Sequence, residues 1–153
     1  MSKSHVGEQA TLDFLLTTKD VATLVNGGVR PTAWYIALYL NDPGDDASGT
    51  EIDGVDTEYL RQQVFFSVST LEGTPLHYQC TNSGILSDGD GDPVVFPPAA
   101  TAASYTVTHF AITDSQTIGS GNILYSGALC VPKDVTETIQ VRFDTGDIII
   151  TED

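Results

Sequence analysis

The spacing of hydrophobic and polar residues along this chain changes period once, near residue 30. From Glu8 to Val25 it is helical. Leu12, Leu15 and Leu16 share one face, and Val21, Ala22, Leu24 and Val25 make a second apolar group. Thr17-Thr18 interrupts the run, Asp20 suits the cap of a second short helix, and Gly27-Gly28 followed by Pro31 ends it. The opening reads as one broken helix or two short ones behind a mobile tail over residues 1–7. Two apolar clusters are too many for a free arm, so the segment is expected to pack on the main domain or on a neighbouring subunit.

Beyond Arg30 the period becomes that of strands. Ala33–Leu40 is a continuous apolar run rich in aromatic residues, as expected of a strand covered on both faces, and Asn41-Asp42-Pro43-Gly44 ends it with turn chemistry. A long acidic loop from Asp45 to Asp56 follows. Leu60, Val64, Phe66 and Val68 then alternate with Arg61, Gln63, Phe65 and Ser67, which predicts a half-buried strand. Short strands are expected at 76–80, 83–86 and 94–96. A strand of about ten residues is expected around Tyr105–Phe110, then others at Ile123–Leu129, Thr138–Phe143 and Ile148–Ile150. Seven to nine short strands separated by Gly, Pro and Asp turns predict a mainly β fold, an antiparallel β-sandwich (jelly-roll-like) with a short N-terminal helical segment. Residues 1–30 form the arm and 31–153 the sandwich domain. The expected core comprises Trp34, Ile36, Leu38, Val64, Phe66, Phe110, Ile112, Ile139, Val141 and Ile149. No fixed repeat appears, which argues against a solenoid or fibrous shaft.

Composition narrows the function. The chain has 153 residues and 41% hydrophobic content, enough for a core without metals or disulfides. Twenty-one acids face six bases, a formal net charge of −15, and fifteen of the acids are Asp. Such a surface repels phosphate backbones and anionic membranes, so no nucleic-acid partner and no membrane partner are expected. Scarce lysine with abundant Asp predicts a halophilic protein that needs high salt for stability. The N-terminus lacks the apolar core of a secretory signal, which places synthesis in a host cytoplasm.

Candidate chemistry is sparse. Cys80 and Cys130, fifty positions apart, suit two small buried side chains or a bridge between neighbouring strands, and give no zinc spacing. His5, His77 and His109 have no partner at a motif distance, and His109 reads as a hydrogen-bonded structural histidine. No G-x-S-x-G elbow, Walker loop or H-E-x-x-H occurs, and Gly119-Ser120-Gly121 reads as a turn between strands. No enzyme activity and no cofactor are expected. One cation candidate stands out. Asp88, Asp90 and Asp92 place carboxylates at alternate positions among glycines, the D-x-D-x-D logic of calcium sites, against the competing reading of an acidic solvated loop. Asp42, Asp45 and Asp46 pose the same question more weakly.

Five segments in order resemble a family of small tailed-phage virion proteins, labelled tail-fibre-like or head-decoration proteins. They are Trp34–Leu40 with Asn41-Asp42-Pro43, Gly49-Thr50-Glu51 before Tyr59–Phe66, and Thr81-Asn82-Ser83. Then come Phe96–Ala102 with Val107–Ile112, and Gly121–Leu129. The chain departs from the pattern at Pro98 and at Ser87–Asp92. The resemblance implies a β-sandwich, a virion location and no catalytic residues. The chain has neither the length nor the repeat for a shaft, which favours a capsid decoration (cement) protein docked on the major capsid protein or other virion proteins as a homo-oligomer, with a trimer favoured. A tail, collar or baseplate fibre-like component is the alternative, and a glycan-binding module using Tyr35, Tyr39 or Tyr78 is another. The acidity adds the expectation of a haloarchaeal tailed virus.

Overall fold

The computed structural model describes residue 12 and residues 33–44, 48–74, 77–85 and 91–152. Of the expected helical arm only Leu12 falls among them; its backbone is helical and its side chain fully buried. The rest of the 8–25 expectation lies outside the described residues. The strands are β1 (Trp34–Tyr39), β2 (Gln62–Phe66), β3 (Thr70–Glu72), β4 (His77–Gly84) and β5 (Val94–Val95). They continue with β6 (Ser104–Thr113), β7 (Ile123–Thr136), β8 (Arg142–Phe143) and β9 (Ile149–Glu152). The described strand pairings are all antiparallel. The mainly β, antiparallel fold expected from the alternation holds.

The chain forms two compact units, each assembled from separated segments. One comprises Ala33–Gln63 and Val94–Phe143. In it β6 lies between β1 and β7, with Leu38 opposite Phe110 and Phe110 opposite Gly127. Successive residues of β1 (Ile36, Ala37, Leu38) are fully buried, so both faces of this strand are covered, as its unbroken apolar run requires. The β5–β8 ribbon brings Phe143 against Phe110 and Phe96, ring centroids 6.0 and 6.3 Å apart. Phe96 in turn stacks on Tyr59 at 6.0 Å.

The other unit comprises Met1–Thr32, Val64–Pro93 and Asp144–Asp153. Here β4 pairs with β3, with β9 and with the end of β2. Asn82 on β4 is 1% exposed and folds the chain before β9 around itself. Its amide Nδ2 donates to the Asp144 carbonyl at 2.9 Å, and its Oδ1 accepts from the N–H groups of Gly146 (3.0 Å) and Ile148 (2.9 Å). Hydrogen bonds at both ends of this buried amide offset its desolvation and fix the turn.

Several expectations need correction. Ile149 is 56% exposed and Ile139 44% exposed, while Ile148, Ile150 and Val141 are buried. Ile149 sits between two inward residues, and Ile139 follows the turn at 137–138 instead of lying in a strand. Phe110 is only half-buried. The strand expected from Leu60 starts later, and its alternation is inverted at the front: Leu60 is exposed and Arg61 buried. The segments expected at 76–80 and 83–86 form one strand, β4, and the one expected at 123–129 runs on to Thr136. Cys80 is buried but Cys130 is exposed, and no disulfide joins them.

Candidate functional site

Arg61 is the best-connected polar residue described. It lies just before β2, 4% exposed, and grips Glu51 in a bidentate pair, Nε to Oε1 and an Nη to Oε2, both at 2.8 Å. Its other Nη donates to the backbone carbonyls of Ser115 (2.9 Å), Thr117 (3.0 Å) and Ser120 (2.9 Å), with Thr113 Oγ1 at 3.5 Å. The planar fork of a guanidinium suits this task, because it can face a carboxylate on one side and several carbonyls on the other. Burial works against the Arg61 charge. The Glu51 carboxylate outweighs it and holds the guanidinium pKa above its ordinary value.

Tyr59 completes the anchor. Its hydroxyl donates to Glu51 Oε1 at 2.8 Å and accepts from the Leu38 N–H on β1 at 3.0 Å. Burial, then the neighbouring Glu51 charge, pushes the Tyr59 phenol far above its usual pKa, so it stays a neutral donor. Tyr39, also buried, is raised by the same two causes. Glu51 reaches this position because Gly49 lets the loop pass against Pro43; a Cβ at Gly49 would lie 2.5 Å from Pro43 Cα.

The loop between β6 and β7 is closed at its base by Asp114. Its carboxylate accepts from Asn122 N–H at 2.7 Å and Asn122 Nδ2 at 2.9 Å. Burial opposes ionisation there, but the Asn122 hydrogen bonds prevail and hold the carboxyl below its usual range. Gly121 has φ +86°, and a Cβ there would collide with Ser115 and the Asp114 carboxylate. The turn expected at Gly119-Ser120-Gly121 is therefore present and needs its glycine.

Together these elements bound an open cleft of about 300 Å³, lined by Tyr39, Glu51, Asp53, Arg61, Thr113 and the 118–121 turn among others. The Glu51 oxygens and the Arg61 nitrogens at its floor are committed to one another, to Tyr59 and to the loop backbone, so the arrangement positions chain segments. A second pin, Asp56, is 3% exposed and accepts from Glu58 N–H (3.0 Å), Ala100 N–H (3.1 Å) and the Tyr105 hydroxyl (2.7 Å).

The other sequence candidates lie apart from this cluster. Asp88 and Asp90 fall outside the described residues, and Asp92 is exposed. Asp45 and Asp46 also fall outside, while Asp42 caps its own turn by accepting from Gly44 N–H at 2.9 Å. Among the described residues no three His, Cys, Asp or Glu side chains gather as a metal site. His109 Nδ1 lies 2.8 Å from Thr108 Oγ1, a hydrogen-bonded histidine as expected. Tyr39 is 3% exposed and offers no ring face for a sugar to stack on; Tyr35 and Tyr78 are half-buried. No described helix is long and apolar enough to cross a membrane.

Strand alternation pointed Arg61 outward and gave Glu51 no partner. The signal was present elsewhere. Glu51, Tyr59, Arg61, Asn82, Phe96 and Gly121 all lie in the segments that carry the family resemblance, and each is a polar pin, a ring contact or an obligatory turn glycine.

In this mainly β protein the buried Arg61 and Asp56 hold loop backbone in place. The chain belongs to the family described as podophage GP4 fiber I protein gp80, whose profile it matches over residues 2–151, and is thus a virion protein of the tailed-phage kind. No curated protein sequence matches it.

Proposed function

We propose that this chain is a non-catalytic tail-fibre component, a small β module that docks on other virion proteins and presents its loops outward. The family match across nearly the whole chain carries this reading, since it is to a podophage fibre protein. It speaks for the fibre alternative over the capsid-decoration reading that the absence of a shaft favoured. The committed state of the Arg61–Glu51 floor supports a positioning role over general acid–base chemistry, which requires a group free to exchange a proton with substrate.

Localisation on purified particles tests it. Antibody labelling with copy-number measurement by mass spectrometry should place the protein at the tail, in low copy. Labelling spread over the head, in proportion to the capsid lattice, would overturn the fibre reading and restore decoration.

A further inference from the structure

The cleft beside Arg61 carries more hydrogen-bonding capacity than the fold uses. Glu51 and Arg61 at its floor are committed to one another, to Tyr59 and to the loop backbone. Tyr39 is not. It is 3% exposed and packs with Ala37, Ala111 and Ile123. Its hydroxyl lies among the charges of Glu51, Arg61 and Asp53, and accepts from the Arg61 guanidinium. The proton on that hydroxyl has no acceptor among the described residues. Burial holds the phenol in its protonated form, so it remains a donor. A buried donor left unpaired is costly, and a ligand in the cleft would relieve that cost.

Asp53 supplies the opposite capacity. It stands in the 3-10 turn Ile52–Gly54, exposed, and its carboxylate accepts no hydrogen bond among the described residues. Across the cleft, the Gly119 N–H donates to no described group, and a Cβ at Gly119 would meet nothing within 4 Å. Ile118 and Ile123, both half-buried, add apolar surface to the same lining.

These groups select among ligand chemistries. An anion is repelled by Asp53 and by a net charge of −15. Of the two carboxylates on the lining only Asp53 is uncommitted, too few for a calcium-type ion that takes roughly six to eight oxygens. An organic cation would satisfy Asp53 and leave the Tyr39 proton unpaired. An apolar molecule would strand both groups. A neutral ligand with hydroxyls on adjacent carbons serves both, since one hydroxyl accepts from Tyr39 while its neighbour donates to Asp53. The C–H face of a sugar ring also suits the two isoleucines. The cleft, at about 300 Å³, falls at the lower end of the roughly 300–1,000 Å³ typical of small-ligand sites.

We propose that this cleft binds a neutral saccharide edge-on, with Tyr39 Oη as donor, Asp53 as acceptor, and Ile118 and Ile123 against the ring. The chemistry does not depend on where in the virion the chain sits, so it stands or falls separately from the fibre reading.

The test is a titration of the full chain, followed by two-dimensional amide NMR, with the methyl glycosides of glucose, galactose and mannose and with N-acetylglucosamine. At least one sugar should shift the Asp53 and Gly119 amides saturably. Asp53→Ala should weaken that binding about tenfold or more, the scale of a hydrogen bond to a charged group, and Tyr39→Phe should weaken it several-fold. Glu137→Ala makes the same charge change at an exposed position outside the cleft and should bind as the wild type does. Circular dichroism should be unchanged in Asp53→Ala, because that side chain is exposed and holds no described group. Sodium sulfate and tetramethylammonium chloride should leave both amides where they are. The absence of a saturable shift with all of these sugars overturns the proposal. A shift that Asp53→Ala leaves unchanged, or that either salt reproduces, overturns it equally.

Discussion

Glu51→Gln would keep the shape of the Arg61 cluster and remove the bidentate counter-charge from a guanidinium that is 4% exposed. Breaking a buried pair on one side costs about 3–5 kcal/mol, because the remaining charge is left uncompensated. Urea denaturation should show that loss. Adding Arg61→Met should not restore full stability, since Arg61 also holds three carbonyls. The tyrosines give a pH prediction. Tyr39, Tyr59 and Tyr105 all have pKa values raised above 10.0, chiefly by burial. The folded state therefore keeps protons that the unfolded state releases, so their contribution is full below pH 10 and lost as pH rises above it. Ionisation of these three tyrosines should accompany unfolding above pH 10, and Tyr59→Phe should blunt that dependence. At this scale the sequence was legible where apolar residues alternate: Trp34, Ile36, Leu38, Val64, Phe66 and Ile112 are buried as expected. It was illegible at Ile148–Ile150, where three identical residues carry no phase, and at Arg61, where a charge is buried because a distant carboxylate and a loop come to meet it.

Single glycines decide the conformations of the connecting elements. Gly121→Ala combines a left-handed backbone with a collision against Ser115 and Asp114, so it should lose about 2 kcal/mol or more. Because the damage is confined to the base of the 114–122 loop, thermal unfolding should shift down while the strand circular dichroism is retained. Gly119→Ala tests the contrast: it shares the positive φ but has open space around its Cβ, so its loss should be smaller. Strand existence was read well from the sequence, with β1 and the ten-residue β6 near their expected bounds. Strand length was read poorly at β7, which continues through Pro132 by means of a bulge. Periodicity cannot register that, because a bulge resets the alternation it relies on.

For the whole molecule, charge is the dominant unbalanced quantity. At net −15 the carboxylates repel one another across distances comparable with the Debye length of dilute buffer, ~30 Å at 0.01 M salt, which falls to about 3 Å at 1 M. Melting temperature should therefore rise steeply between about 0.05 and 2 M KCl. A flat series would show that the acidity serves solubility alone. The class of fold was legible from alternation and turns, and the family from five ordered segments. The site was not, because its members lie on separate segments (Glu51, Tyr59, Arg61, and the 113–120 loop) that no local pattern links.

Arg61 holds the loop through the oxygens of Ser115, Thr117 and Ser120, which every amino acid supplies, and not through the side chains at those positions. Gln116 and Thr117 are exposed. Loop shape and loop chemistry are thereby uncoupled. Substitutions at the exposed Gln116 and Thr117 should therefore leave the loop backbone in place, because one arginine holds it through main-chain oxygens.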